Sequence, residues 1–225
     1  MTSAELDRLL EILPGLAAPA IAAGGYIADF QRGLFEGEEK FVFSAVKKRR
    51  AEFEAGRCAA RIALEKFGIA ECPIPQGGNG EPLWPVEIAG SITHSDSLCF
   101  AACAKKRDLR AVGIDAERVG RMVRRLWRMT FSEDEQDAIR KMPDEAVAAT
   151  VAFSAKEAFE KAQFAVSGRV MGFRSMRVKF AGSNELFVTK IAEDDTFADV
   201  PRECRLRYTA IGDHAVVFCA FPSIL

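Results

Sequence analysis

The stretch Val112-Gly113-Ile114-Asp115-Ala116-Glu117 most narrows what this chain can fold into. Val112, Ile114 and Ala116 alternate with Gly113, Asp115 and Glu117. In a β-strand successive side chains leave on opposite faces, so this pattern gives one apolar face and one face carrying two carboxylates beside a glycine. Carboxylates aimed at one small volume repel each other unless a cation, a proton or a donor stands between them. The pattern therefore predicts a half-buried strand with two carboxylates on its polar face, and the working hypothesis is a Mg²⁺ site completed by Glu157.

The totals allow this. The 225 residues suit one large domain or two small ones sharing an interface, and 49% of them are hydrophobic, enough for a packed core. A net charge of -1 gives no reason to expect nucleic acid or an anionic membrane as partner. Cys58, Cys72, Cys99, Cys103, Cys204 and Cys219 are scattered with no Cys-x-x-Cys pair, which excludes zinc-finger and thioredoxin-like patterns. The first residues, Met1 to Arg8, lack the basic segment and apolar core of a signal peptide, and no apolar run is long enough to span a bilayer. A cytoplasmic protein is expected.

Along the chain, residues 3–13 read as a helix capped by Ser3 and stopped at Pro14-Gly15, and Tyr26 to Phe30 as a strand. A long helix over 44–67 places Phe53, Ala60, Leu64 and Phe67 on one stripe and Arg50, Arg57 and Arg61 on the next. Those arginines are either a solvated basic face or a phosphate clamp. The Pro/Gly-rich segment 72–85 is a loop. Strands over 86–93 and 98–104, turning at Ser95-Asp96-Ser97, form a hairpin that leads into the strand at 111–116, with His94 at the mouth of the turn.

Beyond the strand, Arg118, Arg121, Arg124, Arg125 and Arg128 mark a basic segment, read as a solvated face or as a docking surface for an acidic protein. A helix is expected over 121–130, and a second starts at the cap signature Phe131-Ser132-Glu133-Asp134-Glu135. A third, over 145–164, has an apolar face of Val147, Val151, Ala155, Ala158 and Ala162. On its other side Glu157 and Lys161 stand one turn apart between Phe153 and Phe164. An ion pair on an open helix face is not usually walled by phenylalanines, so both sides of this helix are expected to be covered. After Gly168, strands over 176–181, 186–191, 205–211 and 215–221 form an antiparallel meander.

Five motifs in this order resemble the 4′-phosphopantetheinyl transferases, in the Sfp-type branch that includes enterobactin synthase component D. They are Arg49-Arg50-Ala51-Glu52-Phe53-Glu54-Ala55-Gly56-Arg57, Gly80-Glu81-Pro82-Leu83-Trp84-Pro85, Gly90-Ser91-Ile92-Thr93-His94, Val112 to Glu117, and Phe153-Ser154-Ala155-Lys156-Glu157. The resemblance implies an α+β fold, a pseudo-dimer of two similar halves (1–111 and 112–225), each with an antiparallel sheet and a long helix. It implies transfer of phosphopantetheine from coenzyme A to a serine of an apo acyl or peptidyl carrier protein by a monomeric enzyme. The carrier would belong to siderophore, nonribosomal-peptide, polyketide or fatty-acid synthesis. By the same resemblance Asp115, Glu117 and Glu157 bind Mg²⁺ or Mn²⁺. Glu157 is the base, directly or through a metal-bound water, and Lys161 assists the leaving group. Arg50, Arg57 and His94 hold the 3′-phosphate, Lys156 lies near the coenzyme A phosphates, and Thr93 and the Glu81-Pro82 loop line the nucleotide pocket.

Two positions depart from the family pattern. Some relatives carry a lysine in the loop before Trp84, whereas 73–85 contains no basic residue, and many have tyrosine where this chain has Glu160. The competing readings are a catalytically silent module that binds coenzyme A or a carrier, and a nucleic-acid binder using 47–50 and 121–128. A silent module would be expected to lose one of Asp115, Glu117, Glu157 or Lys161, and all are present.

Overall fold

A computed structural model describes residues 1–191 and 195–223; the assigned second half, 112–225, thus includes five residues outside those described. Helix α1 (Ser3–Ala17) is capped by Thr2 rather than Ser3, because Glu5 closes a reciprocal capping box with Thr2. It runs through Pro14 to Ala17, since Leu13, Leu16 and Ala17 are all buried in one core. The first strand, β1 (Ile21–Tyr26), lies before the expected 26–30, which instead forms a 3-10 turn over Ile27–Phe30. Its sequence, Ile-Ala-Ala-Gly-Gly-Tyr, is poor in strand formers. Packing decides the matter: a Cβ on Gly24 would sit 2.1 Å from the Phe100 ring, so only glycine lets that ring lie on the backbone.

Helix α2 (Lys47–Glu65) covers a three-stranded antiparallel sheet of order β1-β3-β2, where β2 is Ile88–Ser95 and β3 is Leu98–Lys105. His94 lies within β2, paired with Cys99, and Asp96 turns the hairpin with φ of 52°. Strand β4 (Leu109–Arg118) then leaves for the second sheet. Helices α3 (Arg124–Thr130), α4 (Glu133–Arg140) and α5 (Glu145–Ser167) follow. The meander β5 (Met176–Ala181), β6 (Glu185–Lys190), β7 (Glu203–Ile211) and β8 (His214–Pro222) completes a sheet of order β4-β8-β7-β6-β5. The chain is thus mixed α and β with two antiparallel sheets, of three and five strands, each carrying a long helix. One core lies between α2 and the first sheet and another between α5 and the second; a third joins α1 to residues of both sheets.

The two sheets meet at their edge strands, β2 and β4, without a backbone ladder. The β4 edge is satisfied by side chains instead. Ile114 N donates to Ser91 Oγ at 3.1 Å, and Ala116 N donates to Thr93 Oγ1 at 3.3 Å. A buried backbone N–H must find an acceptor, and here period-two hydroxyls on β2 provide it.

Candidate active site

The carboxylates are set by how closely α5 crosses β4. A Cβ at Gly113 would lie 1.8 Å from the Ala158 carbonyl oxygen, so the helix backbone rests directly on the strand there. This contact brings the α5 face of Ser154, Glu157 and Lys161 over the polar face of β4. Asp115, buried, is held at both oxygens: Oδ1 accepts from Thr93 Oγ1 at 3.1 Å and from Lys161 Nζ at 2.7 Å, and Oδ2 accepts from Ser154 Oγ at 2.7 Å. Lys161 also donates to Ile114 O at 3.1 Å. Burial, then the Asp115 charge, pushes Glu117 up to about 7 against the opposing pull of Arg121, 3.7 Å away. Glu157 is raised for the same first two reasons, with Lys161 opposing. The three acids therefore share one field centred on Asp115. Among the described residues they do not close into a three-ligand metal cage.

Beyond Asp115, β2 ends at His94. Its Nε2 lies 3.1 Å from Arg49 Nη1 and 3.8 Å from Glu52 Oε2. Burial, with Arg49 and Lys161, lowers His94 below its ordinary value although Glu52 and Asp115 oppose this. The structure puts Arg49 against His94, and Arg50, expected to hold the 3′-phosphate, is exposed on the neighbouring helix position. The face of α2 that meets β2 is fixed by Gly56, whose Cβ would meet Ile92 at 2.7 Å, and Arg49 is two turns before it. Arg57 is buried. Its Nε donates to Ile74 O at 3.1 Å, its guanidinium covers the Phe53 ring at 3.9 Å, and its Nη2 has no hydrogen-bond partner. Burial lowers it to about 10, so it keeps its charge at neutral pH. Arg61 is not part of this surface: it pairs with the fully buried Glu38 at 2.9 Å.

Lys156 is a correction. It was expected near the coenzyme A phosphates, but its side chain is fully buried and does not line the cleft. Its Nζ pairs with Glu135 at 2.9 Å and donates to the carbonyls of Thr130, Phe173 and Met176 at 2.8–3.1 Å. Adjacent helix residues are separated by about 100° around the axis, so Lys156 cannot share the direction of Glu157.

From the acid cluster a groove of about 1050 Å³ runs between the loop 79–84, β2 and the face of α5 carrying Glu157, Glu160, Lys161 and Phe164. Glu81 and Pro82 line it, and Thr93, bound to Asp115, follows the lining residues Ser91 and Ile92 along β2. Trp84 is pressed onto β2 at Gly90, where a Cβ would lie 2.5 Å from the ring. In mid-groove Glu160 Oε1 accepts from Met171 N at 2.9 Å, while its Oε2 is buried without a hydrogen bond. Lys106 and Arg110 close the far end. Arg49, Ser91 and Ser154 received no individual role from the sequence. For Ser91 a signal existed in the period-two series Ser91, Thr93, Ser95, and for Ser154 in its spacing of three and seven from Glu157 and Lys161.

An edge-bridged pair of α+β halves with an acid–lysine cluster at the seam defines a class that is also found by comparison. Residues 37–104 match the family model for the 4′-phosphopantetheinyl transferase N-terminal domain, and residues 111–219 match that for the 4′-phosphopantetheinyl transferase superfamily. The chain is 34% identical over 175 residues to 4′-phosphopantetheinyl transferase PptT of Mycobacterium tuberculosis, covering 76% of this chain and 77% of that one. It is 32% identical to 4′-phosphopantetheinyl transferase Npt of Nocardia iowensis, covering 64% of each. It is 35% identical to enterobactin synthase component D of Salmonella typhimurium, covering 60% of this chain and 56% of that one, so it spans less than two thirds of these latter two. The chain belongs to the 4′-phosphopantetheinyl transferase superfamily, in its Sfp and enterobactin synthase component D type.

Proposed function

We propose that this transferase moves the phosphopantetheine arm of coenzyme A onto a serine of apo carrier proteins of siderophore or other secondary metabolism. The observation that carries the reading is the Asp115–Lys161 contact at 2.7 Å, with Glu157 one helical turn away, at the head of the groove. A silent binding module would not need a proton acceptor and a cation beside the same carboxylate.

The donor set is made of hard carboxylate oxygens, which fits Mg²⁺ or Mn²⁺. Mg²⁺ takes one or two carboxylates and completes its shell with water and substrate oxygens, so a closed protein cage is not required. Asp115 and Glu117 would hold it, with Glu157 beside them. When bound, the ion neutralises the charge that develops on the diphosphate.

The chain's own groups do the rest. Arg49, the unpartnered Nη2 of Arg57 and His94 are placed to take the 3′-phosphate, and a phosphate would favour the protonated imidazole. Glu157, made more basic by burial and by Asp115, takes the proton from the carrier serine hydroxyl. The serine oxygen bonds to the phosphorus bearing pantetheine as that phosphorus releases adenosine 3′,5′-bisphosphate. Lys161 donates a hydrogen bond to the departing phosphate oxygen. Glu160 Oε2, lacking a donor, would accept from an amide N–H of the arm. The basic, apolar surface of Arg121, Arg124, Arg125 and the exposed Met129 is the proposed seat of the acidic carrier. All six cysteines are free, which suits the cytoplasm. Incubation of apo carriers with coenzyme A and Mg²⁺ should add the phosphopantetheine mass, and Asp115→Ala or Glu157→Ala should abolish the addition. Full activity in excess chelator would overturn this mechanism.

A further inference from the structure

We propose that the far end of the groove is an anion-selecting subsite, formed by Lys106 and Arg110, for the free carboxylate of a dicarboxylic-acid thioester of coenzyme A. The inference rests on the transferase reading above and extends its donor substrate.

The direction of the groove follows from two elements. Ser154 meets Asp115, whereas Ala158 and Ala162 lie against Gly113, so α5 runs antiparallel to β4 and carries Ser167 toward the start of the strand. From Glu157 to Ser167 the helix advances about 15 Å. A diphosphate at the acid cluster therefore sends the arm along α5 toward Lys106 and Arg110. The walls between include the apolar Trp84, Ile88, Phe164 and Val166, with Glu160 among them. An arm ending in a neutral thiol would need no charge where this groove supplies two.

Both cations are placed by the backbone. The Lys106 main chain is held on either side: its N–H donates to Glu87 O at 2.8 Å and its carbonyl accepts from the Ser223 hydroxyl. Arg110 sits in an irregularity of the β4–β8 register between Leu109 and Ala111, where a bulge redirects a side chain. One Arg110 nitrogen donates to the Asp199 carbonyl, and its Nε is buried with no hydrogen-bond partner. The ion pair described in this turn, Arg107 with Asp108 at 3.9 Å, involves neither residue. A carboxylate between an ammonium and a guanidinium would gain charge-assisted hydrogen bonds that neutral acyl groups cannot make.

The transfer balances without any co-reactant. The carrier serine oxygen forms a bond to the phosphorus next to pantetheine, the bond from that phosphorus to the adenosine bisphosphate oxygen breaks, and the serine proton passes to Glu157. The thioester is untouched, so the carrier receives a carboxyacyl-phosphopantetheine in one step.

The test compares kcat/KM for succinyl-coenzyme A, butyryl-coenzyme A of similar length, and coenzyme A, read by intact mass of the carrier. Succinyl should exceed butyryl about tenfold in the natural chain, the size of one favourable charged contact. Lys106→Gln with Arg110→Gln should erase that preference and leave coenzyme A transfer unchanged at a temperature where the variant is folded. Equal rates for succinyl and butyryl in the natural chain would overturn the subsite. So would an equal loss for all three donors in the variant, which would assign the cations to coenzyme A itself. No mass gain with any donor would overturn the transferase reading and the subsite with it.

Discussion

Asp115 accepts three side-chain hydrogen bonds while Glu117 and Glu157 stand beside it, and these three bonds fix the direction of its carboxylate. Ser154 is the only one of its three donors to Oδ2 and is itself fully buried. It acts as a positioning residue. Losing a hydrogen bond to a charged group costs about 1.5–3 kcal/mol, which corresponds to roughly a tenfold to hundredfold rate loss. Ser154→Ala should lower kcat in that range and weaken Mg²⁺ binding by calorimetry, with little change in KM for coenzyme A. A normal metal affinity would remove Ser154 from the site. At His94 the sign of a pH effect follows from its lowered pKa. On the proposed placement of the 3′-phosphate beside it, binding would raise that value again, take up a proton and strengthen as pH falls. The preference for coenzyme A over dephospho-coenzyme A should grow as pH falls toward and below the ordinary histidine value of about 6.5, because the free imidazole titrates below it. His94→Gln should flatten that growth.

At the scale of elements, α5 works on two faces. Its cleft face carries Glu157 and Lys161, and its buried face inserts Lys156 among α4, β5 and the loop that follows α5. Glu135, the partner of Lys156, also closes the α4 capping box and accepts from Val178 N at 2.7 Å, so one ion pair ties three segments together. Burial lowers Lys156 while Glu135 opposes it. Removing one member of such a pair leaves an uncompensated buried charge, which costs about 3–5 kcal/mol. Lys156→Met should lose stability of that order in urea titration. Coenzyme A affinity at a temperature where the variant is folded should remain normal. A selective loss of coenzyme A binding with unchanged stability would return Lys156 to the phosphates.

Over the whole molecule, the cleft exists because β2 and β4 are joined by hydroxyls instead of a ladder. A continuous sheet would leave no opening between the halves, and unbridged edges would leave Ile114 and Ala116 amides unsatisfied. Ser91→Ala with Thr93→Val should therefore raise hydrogen exchange at those two amides specifically. It should cost about 1–3 kcal/mol per unsatisfied amide. Unchanged protection at both amides would show that the seam is held another way.

The sequence by itself determined what is local and periodic. Period-two alternation at 112–117 placed the carboxylates on one face of a strand, and helical spacing placed Glu157 and Lys161 together on α5. The ordered motifs carried the resemblance to the family that the comparisons then established. Tertiary structure alone decided the rest, because it depends on which atoms meet across the chain. Neither β1, built from small residues under Phe100, nor the contact of Arg49 with His94 can be read from a stripe of side chains. Lys156 and Glu157 are neighbours in every sequence pattern, yet a rotation of one residue on the helix sends one into the core and the other into the cleft. Strand β4 names its carboxylates, and the close crossing at Gly113 decides that Ser154, Lys161 and Thr93 converge on the first of them.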